Sequence, residues 1–417
     1  NQNFGIIQIK IMKATFSFWL DFIHEAFRGG RIFYAWMTLL TALVVSGIYA
    51  YTFQYQEGLI VSGMSDQVSW GVYIANFTFL VGVAAAAVML VIPSYIFRDK
   101  MIQEVVLLAE GLAVAACIMC ILFVTVDLGR PERIWHMIPF LGEFNFPQSL
   151  LAWDVFVLTG YLFLSLSIPY YILFVRYKGG QPKHNVYFPG VLISIFWAIS
   201  IHTVTAFLLS SNVARPFWHT AILGPRFLAS AFSAGPAFFL LTLKFIRSYT
   251  DFPVPPKVFQ RIAIIATVAL QINLFLLFVE IFTEFYHQTD HTASALYLFF
   301  GIGEKTALVP WIWSAIAMNV AAVLILSIES LRNNNRLLSI ACLLMVVGVW
   351  IEKGMGLIIP GFIPTPLGEV FEYTPTLIEV AVSAGIWAIG LMIYTLLAKA
   401  TIAIELGKVK YRVSPES

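Results

Sequence analysis

Charge and cysteine are scarce in this 417-residue sequence. Asp, Glu, Lys and Arg make up 12% of the residues, against 59% that are apolar. Apolar runs of about 20 residues recur, the length that crosses the hydrocarbon core of a bilayer. An ordinary water-soluble domain is thereby excluded, and the class is an all-α polytopic membrane protein. The three cysteines, Cys117, Cys120 and Cys342, lie inside apolar runs. They offer neither a disulfide framework nor a four-thiolate cluster site, and the Cys117–Cys120 spacing on a helix reads as packing. The seven histidines include no pair at matching depth for bis-axial haem. A cleavable secretory signal is not expected either, because Lys10, Lys13, Asp21 and Glu25 interrupt the apolar residues near the start.

What the sequence does contain is ten apolar segments, at 33–55, 69–97, 102–126, 151–175, 186–210, 221–247, 259–284, 307–329, 336–359 and 376–400. Ahead of them, Ala14 to Phe27 sets Phe16, Trp19, Leu20, Ile23 and Phe27 at helical spacing, the pattern of a segment lying along the membrane interface. With a cytoplasmic N-terminus, the inner segments hold 19 of the 25 Lys and Arg residues, among them Arg98 and Arg412; Arg130, Arg133, Arg215, Arg226, Lys305 and Lys353 fall outside. The positive-inside rule therefore places both termini in the cytoplasm and the 127–150 loop on the extracytoplasmic side.

Segments two and six are both rich in small residues, Gly82 and Ala84 to Ala87 in one, Ala231, Ala234 and Gly235 in the other, and small residues let helix backbones approach closely. Each opens a set of four helices, and the third segment of each set begins with Trp, at Trp153 and Trp311. The expected architecture is two parallel four-helix bundles, helices 2–5 and 6–9, flanked by helices 1 and 10. The divisions are 1–32 (interfacial segment), 33–68 (helix 1 and outer loop), 69–220 (first bundle, with the site), 221–375 (second bundle) and 376–417 (helix 10 and tail). Only the first set carries a carboxylate beside its Trp, Asp154, so the first bundle is read as the working one.

Ionisable residues inside membrane spans are costly and mark function or pairing. Asp154, His202, Arg226, Glu280, Glu284 and Glu352 all fall toward the outer ends of their segments. Glu280 and Glu284 share a helix face, and pairing with Arg226 or Lys305 explains them. Glu110 is the exception, about eight residues into segment three, or roughly 12 Å from the inner boundary. It suggests a proton route from the inside.

The 127–150 loop gathers Asp127, Arg130, Glu132, Arg133, His136 and Glu143 before Asp154 opens the next apolar run. Its DLGRPERIWHMI, together with SLLAWDVFVLTGYL, SIHTVTAFLLSSNVARPFWHTAILGPRFLASAFSAGPA and WIEKGMGLIIPGFIPTPLGE, resembles the NrfD/PsrC family of quinone-interacting membrane subunits, most closely the DsrP type found with dissimilatory sulfite reductase. The resemblance runs from Trp70 to about Ala400. It implies a haem-free subunit of a multi-subunit menaquinol:acceptor oxidoreductase. Menaquinone would bind near the outer face, and electrons would be exchanged with an extracytoplasmic ferredoxin-like iron–sulfur subunit. A multihaem cytochrome c, a haem b membrane subunit and a cytoplasmic iron–sulfur protein are the further implied partners, with no nucleic acid among them.

On that resemblance the quinone-site pair falls on His136 and Asp154, 18 residues apart and brought together only if the loop folds back through Pro139 and Pro147. Quinol oxidation releases two protons and two electrons. His136 would accept a proton, Asp154 would orient and charge-balance it, and Trp135 and Trp153 would wall the ring. Tyr73, Asn76 and His202 are further quinone-binding candidates, and Arg130, Arg133 and Arg215 candidates for docking the partner. Bland readings stand beside these. Asp154 could be an N-cap, His136 a solvated loop residue, Arg215 a loop-ordering residue and Tyr73 an interfacial anchor. A non-catalytic anchor for redox subunits, or a secondary transporter, would also account for a repeated helical bundle with buried charges.

Overall fold

Ten helices long and apolar enough to cross a membrane organise the computed structural model, which describes residues 2–97, 99–287 and 292–411. Arg98, Arg412 and residues 288–291 of the loop after the seventh span lie outside the described residues. The spans, numbered one to ten, are Arg31–Glu57, Val72–Ile96, Val106–Asp127, Leu150–Tyr177, His184–Ser210, Leu223–Tyr249, Pro256–Tyr286, Val309–Ser327, Asn335–Phe362 and Leu377–Glu405. No β-strand occurs among the described residues beyond one isolated bridge, Ile302 with Lys305. The all-α, ten-span class is as the sequence indicates. In the spans every backbone N–H and C=O must be satisfied without water, and helices do this internally.

Boundaries differ where local chemistry intervenes. Span three starts at Val106 and not at 102, because Asp99 caps a separate turn, Lys100–Gln103, by accepting from the Met101 N–H at 3.1 Å. Span nine continues past 359 through a short 3-10 turn, Pro360–Phe362. Ahead of the spans, helix Gln2–Phe27 packs Phe18 among Tyr170, Phe174 and Tyr177 of span four and hydrogen-bonds the Tyr177 hydroxyl through Asp21 (2.5 Å) and Ser17 (2.8 Å), while Phe16, Leu20, Ile23 and Phe27 stay exposed.

Neighbour contacts run in two rings. Spans two, three, four and five touch in sequence and two closes on five; spans six, seven, eight and nine do the same and six closes on nine. Spans two, five, six and nine join the rings, and span ten packs along spans one and three. Spans two and three are 78% buried over their apolar windows and span one 11%, so the interior of the molecule lies around spans two and three and span one faces mostly outward.

The small-residue stripes of spans two and six meet each other at the junction of the rings. A Cβ on Gly235 would lie 2.1 Å from the Ala86 Cβ, and one on Gly82 would lie 3.4 Å from the Ala231 Cα. Gly235→Val is therefore expected to destabilise the protein by about 1–3 kcal/mol through overpacking. Thermal unfolding in detergent should show the lowered midpoint, and an unchanged midpoint would mean that the two backbones do not approach this closely.

The ends of the spans that carry the 127–150 loop form one face of the molecule, called here the long-loop face. Glu379, fully buried, ties that face together: it accepts from the Gly63 N–H (2.7 Å), the Thr376 N–H (2.8 Å) and the Tyr373 hydroxyl (2.5 Å), while that hydroxyl accepts from the Val72 N–H (2.9 Å). Burial, with the Glu379 carboxylate second, holds Tyr373 above the usual phenol range, so it stays a neutral donor.

Candidate functional site

The 127–150 loop leaves span three, makes a 3-10 turn at Pro131–Met137 and re-enters at Leu150. Ser149 caps span four by accepting from the Ala152 N–H at 3.4 Å, so the N-cap reading of Asp154 does not hold. Asp154 lies a full turn further in, 4% exposed, and accepts from the Thr205 hydroxyl of span five at 2.9 Å. His136 is exposed on the loop and stacks on Trp135, with 3.9 Å between ring centroids. No hydrogen bond or ion pair among the described residues joins His136 to Asp154; one sits on the surface and the other within the first ring. Trp153 donates to the Pro147 carbonyl at 2.8 Å and packs on Phe146, which fastens the returning loop to span four. Arg130 and Arg133 are exposed, Arg130 beside Glu132 at 3.5 Å.

The other sequence candidates scatter. The Asn76 carboxamide oxygen accepts from both Trp350 and Trp387 indoles at 3.0 Å, and its nitrogen donates to the Val72 carbonyl at 2.8 Å. Both polar atoms of the side chain are thus engaged in fastening spans two, nine and ten. His202 is fully buried, its Nδ1 3.1 Å from the Ala198 carbonyl and its Nε2 without a partner. Glu110, 3% exposed, lies beside Ser165 and Tyr161 of span four. Arg215 donates to the Phe362 carbonyl at 3.3 Å with its guanidinium 4.9 Å over the Phe362 ring, and burial lowers its pKa. Next to it Trp218 donates to the Leu357 carbonyl at 2.9 Å, so these contacts order the 211–220 loop on the end of span nine.

A groove of about 400 Å³ opens at the long-loop face, between Tyr51, Gln54 and Tyr55 of span one and Leu128, Arg130 and Glu132 of the loop. Gln54 forms its floor, 3% exposed. The Gln54 carboxamide oxygen accepts from the Tyr73 hydroxyl at 2.6 Å, and its nitrogen donates to the Val126 carbonyl at 2.6 Å. Asp127 immediately precedes the Leu128 wall and keeps one buried carboxylate oxygen without a hydrogen-bond partner. Amide and phenol thus meet at the end of span one, with the Asp127 carboxylate within electrostatic reach of the Tyr73 hydroxyl. Sequence reasoning reached Tyr73 and missed Gln54, although a lone amide in an apolar span is itself a signal.

A second polar cluster fills the other ring. Arg226 of span six pairs with Glu280 of span seven, as expected for Glu280, and donates to Glu352 of span nine at 3.0 Å. Glu352 also accepts from Asn273 at 3.0 Å and Asn319 at 2.9 Å. Lys353, counted with the outer cations and lying within segment nine, is 5% exposed, with Nζ 4.2 Å over the Phe227 ring. No group of three or more His, Cys, Asp or Glu able to hold a metal occurs among the described residues.

Ten apolar helices, an ionisable interior and a polar groove at one face define an integral multi-pass membrane protein. The chain belongs to the NrfD family: the family model described as "Polysulphide reductase, NrfD" matches residues 60–364. It is similar to an Hdr-like menaquinol oxidoreductase integral membrane subunit of Archaeoglobus fulgidus, 25% identical over 83% of this chain and 87% of that one. It also resembles a putative dimethyl sulfoxide reductase membrane subunit of Halobacterium salinarum, 24% identical over 87% of this chain and 90% of the relative. A selenate reductase subunit of Mesobacillus selenatarsenatis is 22% identical over 87% and 92%, respectively.

Proposed function

We propose that this chain is the quinone-reactive subunit of a membrane oxidoreductase, exchanging electrons between menaquinone and a ferredoxin-like iron–sulfur subunit on the long-loop face, which faces outward from the cytoplasmic membrane. The observation that carries the reading is the groove over Gln54. Its volume, about 400 Å³, suits a bicyclic headgroup, and ligand pockets of this kind hold a few polar groups for orientation. The relatives' names, which include a menaquinol oxidoreductase subunit, point the same way.

In this reading Gln54 and Tyr51 hold a ring oxygen of menaquinol, and Tyr73 fixes the Gln54 carboxamide from behind. Asp127, which directly precedes the Leu128 wall and keeps a buried carboxylate oxygen with no hydrogen-bond partner among the described residues, takes the proton that leaves when the quinol is oxidised. Arg130 and Arg133 sit on the adjoining loop, exposed and placed to meet the partner subunit, and Glu110 serves a proton route from the cytoplasmic side. The likeness to the DsrP type extends the proposal to sulfur metabolism, with a multihaem cytochrome c and a haem b subunit in the same assembly. A second reading keeps the ring at Asp154, favoured by its burial with only the Thr205 hydroxyl as partner, His136 then carrying the proton at the surface.

A photoactivatable menaquinone analogue added to the intact complex in native membranes separates the readings. Labelling of segments 51–59 and 128–132, competed by excess menaquinone, is the expected result. Competable labelling confined to the surroundings of Asp154 and His202 would establish the second reading. Labelling that excess menaquinone does not reduce would leave the chain as a structural anchor.

A further inference from the structure

We propose that the Arg226, Glu280, Glu352 and Lys353 cluster of the second ring is a proton-exchange site, in which one proton moves between Lys353 and Glu280 past a fixed Arg226–Glu352 pair. This reading neither uses the groove nor requires that the chain bind quinone.

The four groups differ in how they are held. Glu352 is saturated, accepting from Arg226, Asn273 and Asn319 on both its oxygens. With Arg226 it forms a pair held in place by groups from all four spans of the ring. Glu280 is 8% exposed and bonded through one oxygen to Arg226, while its Oε1 is buried without a partner. A purely structural carboxylate would be expected to use both oxygens, since a buried acceptor left unmade costs about 1–3 kcal/mol. Among the described residues no carboxylate forms an ion pair with Lys353; its Nζ lies over the Phe227 ring and donates to the Phe227 carbonyl at 3.4 Å.

Charge decides what this asymmetry permits. Within these four groups, with Glu284 of the neighbouring turn standing outside the count, two cations and two carboxylates sum to zero, and the fixed pair accounts for one of each. If the Lys353 ammonium gives up a proton, an N–H bond breaks, an O–H bond forms on Glu280, and both groups become neutral. The cluster is uncharged before and after, so neither state incurs the penalty of an unbalanced buried charge. Each end of the relay also has space beside it. Two cavities of about 10 Å³ flank Arg226, one lined by Ser230, Asn273, Glu352 and Lys353, the other by Glu280, Glu284, Phe217 and Leu298. Each has room for about one water, and Asn273 lends the first a carboxamide oxygen with no other partner.

The ends of the relay face different surroundings. The Glu280 cavity is closed by Ala295, Leu298 and Phe299 of the helix Thr292–Phe299 at the long-loop face. Lys353 looks toward the first ring. Its carbonyl accepts from the Thr78 hydroxyl at 3.4 Å, a Cβ on Gly82 would lie 3.5 Å from its Nζ, and Cys120 of span three and His202 of span five are within its electrostatic reach. His202 keeps a fully buried Nε2 with no hydrogen-bond partner among the described residues. The titratable groups around the relay are thus Arg226, Glu280, Glu284 and Glu352 within the second ring, with Cys120 and His202 across the junction.

Infrared difference spectroscopy of the complex in lipid vesicles, with pH steps in H2O and D2O as the probe, tests this directly. The expected result is a carbonyl band of a protonated carboxyl group that comes and goes with pH, shifts in D2O and disappears in Glu280→Gln. Lys353→Met, which removes the balancing cation, is expected to make the band persist across the pH range. A spectrum without such a band, or with the same band in Glu280→Gln, would show a permanently ionised pair and overturn the proposal. Should Glu280→Gln fail to assemble, Glu280→Asp replaces it: a displaced band supports the relay, and one at the wild-type position overturns it. Failure of quinone labelling would leave these results untouched.

Discussion

Asp127→Asn is expected to lower menaquinol oxidation by the intact complex by a factor of about 10²–10⁴, the range of a lost general base, with assembly unchanged. The substitution is nearly isosteric, and the carboxylate oxygen it alters has no hydrogen bond to lose. What is removed is the capacity to accept a proton beside Gln54 and the Tyr73 hydroxyl. The loss should fall on kcat with little change in KM, because Gln54 and Tyr51 still orient the ring. Asp154→Asn is the companion measurement. An amide at 154 can still accept from Thr205, so with the ring in the groove the change should be several-fold at most. The reverse pattern, with Asp127→Asn active and Asp154→Asn slow, would move the base to the pair read from the sequence.

Removing the hub of the second ring should cost stability before it costs anything else. Arg226→Met leaves Glu280 and Glu352 buried without their shared cation. Breaking a buried pair in this way typically costs about 3–5 kcal/mol, because an uncompensated charge remains. A sharp fall in assembled complex, or in its thermal midpoint, is expected. The double variant Arg226→Met with Glu280→Leu restores balance between Glu352 and Lys353 and should recover part of the loss, a coupling that a double-mutant cycle reads directly. Equal losses in single and double variants would mean that Arg226 acts through packing alone.

How much could be read from the chain is clearest residue by residue. The spans were legible because hydrophobic length is a local property, and even the junction of the rings left its mark as the small-residue stripes around Gly82 and Gly235. Glu280 and Arg226 could be paired on paper, since buried charges in a membrane need partners. Lys353 could not be placed: it falls near the outer end of segment nine and counts with the outer cations, and only the packing of span nine against spans two and six shows that its side chain is buried. His136 and Asp154 looked adjacent because the loop joins them, yet Ser149 starts the helix early enough to carry Asp154 into the ring and leave His136 on the surface.

The sequence by itself determined that this is a membrane protein of ten helices with a few ionisable residues inside them, because bilayer thickness and the cost of buried charge act on each segment separately. Its long motifs were also enough to carry the family resemblance. Only the tertiary structure decided which polar groups share a site. Gln54 of span one, the Tyr73 hydroxyl of span two and the Val126 carbonyl of span three meet because spans one, two and three bring their ends to the same face. Asn273, Asn319 and Glu352 meet because spans seven, eight and nine close with span six into a ring. Convergence of this kind depends on which face each helix turns to its neighbours, a choice made by packing between segments distant in sequence.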